Sequence, residues 1–145
     1  MYRNILIATD GSELATRAVT HGVGLAKALN ARVTLMTATE PWSSVVSGEM
    51  AVGFPIDEYD KTAAANAATL LTKAADIAAI AGVRFDTVHA KNQHPAEGIL
   101  TAAKDKDCDL IVMASHGRRG LTRMLLGSQA NRVVTHSALP VLICR

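Results

Sequence analysis

The stretch Asn4-Ile5-Leu6-Ile7-Ala8-Thr9-Asp10-Gly11-Ser12 decides the fold. Its first half is almost continuously apolar and reads as a strand covered on both faces, the habit of parallel sheets. Its second half breaks into a short polar turn with a glycine. Beyond that turn, over residues 13–29, Leu14, Ala18, Val19, Val23, Leu25, Ala26 and Leu29 recur on one broad face of a helix. Strand, turn and helix in this order open a βα unit.

The alternation continues outward from that unit. Residues 32–37, 83–88, 110–113 and 141–144 read as further strands. Residues 110–113 are again apolar throughout, whereas 83–88 alternates and suits a strand near an edge. Helices are predicted over 57–80, with Asp57 and Glu58 near its positive end and Gly82 as its stop, from Pro95 onward with Glu97 in the first turn, and between Gly127 and His136. Five strands and four helices without internal repeats make one α/β domain over residues 1–145: an open, five-stranded, parallel, doubly wound sheet. The one long irregular segment is 40–55, which carries Trp42, Gly48, Gly53 and Phe54 and exceeds the usual connection length. It is read as a lid or a mobile loop. Trp42 and Phe54 are expected to cover the sheet or a dimer neighbour.

Composition narrows the function. Of 145 residues 49% are hydrophobic and only 3% aromatic, so the core is built from Ala, Val, Ile and Leu, and base-stacking on aromatic rings is disfavoured. A net charge of +2 is too small for a phosphate-backbone binder, so no nucleic-acid partner is expected. No apolar tract is long enough to span a bilayer. Cys108 and Cys144 form neither a CxxC pair nor a disulfide framework and read as ordinary small hydrophobes. The opening residues run straight into the first strand with no secretory cleavage pattern, and a reducing, cytoplasmic setting is expected. Charge is uneven: residues 1–72 carry five Lys/Arg against seven Asp/Glu, residues 73–145 ten against six. Arg118, Arg119, Arg123 and Arg132 lie around one glycine-bearing stretch.

In an open parallel sheet, ligands bind beyond the carboxyl ends of the strands where the winding reverses. If the first three strands wind one way and the last two the other, the reversal falls between the first and fourth strands. Two polar clusters meet there: Thr9-Asp10-Gly11-Ser12, and Ala114-Ser115-His116-Gly117 continuing to Gly127-Ser128. A glycine followed by a serine N-cap at a helix start offers free N–H groups and a favourable dipole to an anion. Neither the P-loop lysine pattern nor the Rossmann glycine triplet is present. His116 has no paired serine nucleophile or acidic orienter visible in the sequence, and His21, His89, His94 and His136 lack metal-ligand spacing.

Those residues carry a resemblance. With the opening Ile5 to Ser12, the run Asp109 to Gly117 with Gly127-Ser128, and the closing Leu139-Pro140-Val141-Leu142-Ile143, the chain resembles the universal stress protein family over its whole length. The resemblance implies a Rossmann-like sheet of order 3-2-1-4-5. Nucleotide-binding members carry G-x-x-G, nine residues, then G-[ST]; Gly117, residues 118–126 and Gly127-Ser128 keep that spacing, and Ala114 stands at the first glycine. Carried over by motif, Ala8, Thr9 and Asp10 line the adenine and ribose side, with Asp10 taking the ribose hydroxyls, and Ala38 meets the adenine. Met113, Ala114, His116 and Gly117 border ribose and phosphates, and Gly127, Ser128, Gln129 and Ala130 hold phosphate.

The implied ligand is ATP, with Mg or Mn, and the implied role is a small stress-response regulator that senses nucleotide and informs a protein partner. The implied assembly is a homodimer through the last strand, Val141–Cys144. A Cβ at Ala114 costs about 1–2 kcal/mol if its φ must be positive, so binding is expected to be weakened and retained. The alternatives are an interaction protein of the same fold without nucleotide, and a weak ATP hydrolase using Asp10 and His116. No residue is assigned a dedicated catalytic role.

Overall fold

The computed structural model describes residues 1–45, 53, 55–118 and 125–145. Among them the chain runs β1 (Asn4–Ala8), α1 (Glu13–Leu29), β2 (Arg32–Thr39), α2 (Trp42–Val45), α3 (Ile56–Ala81), β3 (Phe85–Lys91), α4 (Pro95–Asp105), β4 (Leu110–Ala114), α5 (Ser128–His136) and β5 (Val141–Cys144). The five strands form one parallel sheet of order β3-β2-β1-β4-β5, as the sequence predicts. β1 pairs on both sides, with β2 and with β4, and all five of its residues are buried.

Local chemistry explains the elements. Ser12 caps α1 by accepting from the Ala15 N–H at 3.2 Å, Glu13 sits in the first turn, and Asn30 ends the helix in the left-handed conformation. α1 and α3 cover one face of the sheet with Ile5, Ile7, Val19, Val23, Val33, Leu35, Leu71 and Val112. α4 and α5 cover the other with Leu6, Met36, Ile99, Ile111, Met113 and Val133, interleaved with alanines. Burying these faces is the dominant favourable term in the fold.

Several boundaries differ from the sequence expectation. β3 begins at Phe85 and not at residue 83, because Gly82 turns left-handed at φ 75° and the Val83 N–H is drawn back to the Ala78 carbonyl at 2.9 Å. β2 and β3 run on together to the pair Thr39 and Lys91, past the expected ends. The expectation of four helices is corrected to five among the described residues, since α2 occupies the start of the segment read as irregular. Trp42 lies on α2; Gly48 and Phe54, and with them most of the suggested lid, lie outside the described residues.

Candidate functional site

β1 ends at Ala8, and its continuation is held by its own backbone. The Thr9 N–H donates to the Met36 carbonyl at 2.9 Å, and the Thr9 hydroxyl accepts from Gly11 N–H at 3.1 Å. The chain therefore turns sharply and presents Asp10. One Asp10 carboxylate oxygen accepts from Ser12 N–H at 3.0 Å, and the other from Arg118 N–H at 2.8 Å. This single side chain ties the β1–α1 turn to the segment after β4, the two places the sequence assigns to one crevice. A carboxylate oxygen has more than one lone pair, so Asp10 keeps acceptor capacity for a diol.

The far wall is built without side chains. A Cβ on Gly117 would lie 2.7 Å from the Asp10 carboxylate, and a Cβ on Gly127 would lie 2.8 Å from the Ser115 carbonyl. Neither glycine needs a left-handed backbone; both are set by space. Gly127 N–H donates to that same Ser115 carbonyl at 2.8 Å, which seats the start of α5 beside the end of β4. Gly127 is itself the N-cap, with φ −58° and ψ 154°, and has no side chain with which to cap α5. The serine N-cap expected at Ser128 is thus corrected: Ser128 is the first helical residue and exposed, because the tight Gly127–Ser115 contact fixes the start one residue earlier. The N–H groups of Ser128, Gln129 and Ala130 are first-turn donors with no intrahelical acceptor.

Other carried-over residues behave differently. Gln129 turns its side chain away: its Oε1 accepts from Ala96 N–H at 3.0 Å, so it caps α4 from outside that helix. Ala8, Met113 and Ala130 are buried together in the α4/α5 layer, and Ala38 packs at its margin. Ala114 is a β4 residue in register with Cys144, its φ is not positive, and its methyl packs in the α1/α3 layer. The left-handed backbone on which its strain depended is absent. His116 does have a serine beside it: Ser115 Oγ lies 3.0 Å from Nδ1, and Nε2 is buried without a partner among the described residues. Ser115 is buried, with its N–H and carbonyl spent on Cys144 and Gly127, so the pair is a structural clasp. Arg118 is exposed; Arg119 and Arg123 lie outside the described residues.

Titratable groups with displaced values lie away from the crevice. Burial, and then Lys91, lower His89, whose ring also meets the Thr39 hydroxyl at 2.7 Å. Burial pushes up the thiols of Cys108 and Cys144, and burial with Glu40 and Asp60 raises Tyr59, whose hydroxyl donates to the Glu40 carbonyl at 2.8 Å. An open groove of about 450 Å³ runs between α3 and β3, with Ala64, Ala68, Leu71 and Thr87 among its lining. Thr72, His89 and Lys91 complete its lining, with the polar groups on the β3 side and on Thr72 of α3.

The sequence reading missed two groups. The Arg118 backbone N–H leaves no mark in a sequence. Gln93, whose side-chain oxygen is buried without a partner among the described residues, hides in a segment that reads as a plain helix approach.

The fold agrees with the comparisons. The sequence model of the universal stress protein family matches residues 1–145, and the chain belongs to that family. It is 34% identical over 151 residues to universal stress protein YxiE of Bacillus subtilis, covering 100% of each chain. Among solved structures, universal stress protein UspA from Lactobacillus plantarum superposes with a TM-score of 0.85 at 25% identity, covering 99% of this chain and 98% of that one. A universal stress protein crystallised in complex with cAMP superposes at 0.70 with 25% identity, covering 98% and 95%.

Proposed function

We propose that this chain is a nucleotide-binding regulator of the stress response that takes ATP in the crevice between β1 and β4. The observation that carries the reading is the pairing of two features across one gap. Asp10 presents a carboxylate beside the end of β1, and the uncapped first turn of α5 starts beside the end of β4. A carboxylate reads a ribose diol, and a helix N-terminus takes phosphate. Ala114 does not weaken the reading, because its methyl belongs to the opposite layer. The relative solved with cAMP supports a nucleotide in this fold.

In this proposal Asp10 holds the ribose, the N–H groups of Ser128 to Ala130 hold phosphate, and Mg or Mn arrives with the phosphate oxygens. The protein acts by binding and not by turnover. It works in the cytoplasm as a homodimer through the open edge of β5 and passes its ligand state to a protein partner. β5 is only half-buried along its length, and an uncovered apolar edge invites pairing.

Protein purified without added nucleotide is heat-denatured and the supernatant chromatographed. Co-purified ATP is expected, and titration with ATP–Mg should give binding that Gly127→Leu abolishes. Absence of heat and of thermal shift at millimolar ATP would overturn the reading, and ADP accumulating on incubation would replace it with hydrolysis. Light scattering at micromolar protein should report a dimer; a strict monomer removes that part.

A further inference from the structure

We propose that the groove between α3 and the open edge of β3 is a docking site for an extended segment of a partner protein. That segment adds to the sheet as a sixth strand and brings a carboxylate to the Lys91 end. The inference goes beyond the nucleotide reading and does not depend on it.

The edge itself comes first. β3 is a seven-residue strand at one end of the sheet, and among the described residues it pairs only with β2. The Val33 N–H donates to the Arg84 carbonyl at 2.9 Å. In a parallel ladder the backbone groups of alternate residues point to opposite sides. Asp86, Val88 and Ala90 therefore face β2, while Phe85, Thr87, His89 and Lys91 turn their N–H and C=O groups outward. Such a row of unpaired groups is a template for another strand, and proteins blunt it with proline, a bulge, a lysine or a covering element. β3 contains no proline, and its side chains at Phe85, Thr87 and Lys91 are exposed. Its lysine stands at the last residue and leaves the run from Phe85 to His89 open.

The flank of the edge supplies the specificity. Along it runs the groove of about 450 Å³, with Ala64, Ala68 and Ala75 on the helix side and Thr87, His89 and Lys91 on the strand side. Every second side chain of an added strand points to one face. Those side chains of the guest enter the groove while ladder hydrogen bonds hold its backbone. Charge then chooses among guests. Lys91 forms no ion pair among the described residues, and no carboxylate is among the described lining of the groove. At the other end of the strand Phe85 is 38% exposed. The surface thus runs from apolar at Phe85 to cationic at Lys91, about 20 Å along the strand. A second copy of this chain fits it poorly. Its β3 would bring a further His89 and Lys91, and its Asp86 is already paired with Arg32. A guest with apolar residues toward Phe85 and an acidic one toward Lys91 complements both ends.

The test titrates the whole protein, without nucleotide, with short peptides that alternate valine with threonine. Glutamate replaces the first valine in one peptide and the last in another, so that one of them meets Lys91 whichever way the guest strand runs. Lysine stands at the same places in two controls. Wild type, Thr87→Pro and Lys91→Glu are compared by calorimetry, and the melting temperature of each is recorded. Thr87→Pro removes an outward N–H and spares every bond to β2. One glutamate peptide should bind wild type saturably and more tightly than its lysine control. Thr87→Pro should weaken it by about fivefold or more. Lys91→Glu should weaken it by about threefold or more and bring the lysine control at least level with it. Failure of both glutamate peptides to bind wild type at millimolar concentration overturns the proposal and leaves the nucleotide reading standing. Undiminished binding by folded Thr87→Pro overturns it by placing the contact away from the edge. If Thr87→Pro does not fold, Lys91→Glu decides, and unchanged peptide preference there overturns the proposal. Light scattering should give wild type and Thr87→Pro the same mass. A larger wild-type mass that the variant loses would make this edge a contact between copies, and overturns the proposal as well.

Discussion

The two layers that sandwich the sheet are built to different specifications. The α1/α3 layer sets Ile5, Ile7, Val19, Val33, Leu35 and Val112, each essentially sealed from solvent, among Ala15, Ala18, Ala26, Ala31, Ala74, Ala78 and Ala114, and buries no methionine among the described residues. The α4/α5 layer interleaves Ala8, Ala90, Ala96, Ala102, Ala103 and Ala130 with Met36 and Met113. It also borders the unpartnered Gln93 oxygen and contains the outer-helix cap supplied by Gln129. Both layers pack alanines between larger apolar side chains; the second differs in burying Met36 and Met113 and in the glutamine side chains at its margin. The candidate crevice opens at the carboxyl ends of the strands that both layers cover, and its carried-over core residues Ala8, Met113 and Ala130 belong to the second.

The comparison can be broken most strongly from the α1/α3 side. Ile7→Ala removes a fully buried side chain and should cost about 2–5 kcal/mol, read from a urea unfolding curve, while the nucleotide affinity of the remaining folded protein stays within a few-fold. An equal collapse of affinity would show that the layers are not separable. Next in size, Gln129→Ala takes the cap from α4 and should lose about 1 kcal/mol of stability. If Gln129 instead held phosphate by its side chain, stability would be unchanged and ATP affinity would fall.

Ala114→Gly tests the sharpest point of difference. Because the Ala114 methyl packs against α1 and not in the crevice, restoring the motif glycine should leave ATP binding unchanged. It should destabilise the protein by about 0.5–1 kcal/mol through backbone entropy. A tenfold gain in affinity would show that the methyl obstructs the ligand after all.

The smallest expected effect concerns His89, at the β3 edge of the α1/α3 face. Its folded value lies below the ordinary 6.5, so below about that pH the unfolded chain takes up a proton that the folded protein resists. Stability is therefore fully present above that value and declines as pH falls through it toward the lower folded value. His89→Gln should flatten this decline in urea midpoints taken at roughly pH 7.5 and 5.5; a midpoint that rises on acidification in the wild type would contradict the sign.

Much of this was legible in the residues. The apolar runs at Ile5–Ile7 and Leu110–Met113, the helical face from Leu14 to Leu29, and the turns at Asp10-Gly11 and His116-Gly117 fix a doubly wound sheet. They also place two polar clusters at its switch point. Boundaries were less legible where a cap competes with a ladder, as at Val83. The direction of the Gln129 side chain was not legible, because residue number says nothing of it: a side chain one turn into α5 is free to face the crevice or the neighbouring helix, and it faces Ala96, while the backbone N–H assigned to phosphate is unaffected.

The sequence by itself determined the class, a parallel doubly wound sheet, because periodicity, turn chemistry and right-handed crossovers leave few other arrangements; the strand order, and with it the meeting of Asp10 with the glycines of the second cluster, came from the family resemblance. Only the tertiary structure decided which layer each small residue serves. Ala114 and Met113 are neighbours in one strand, and the pleat sends one methyl toward α1 and the other side chain toward α5. The same packing caps α4 from α5 through Gln129 and leaves the Gln93 side-chain oxygen buried without a partner among the described residues.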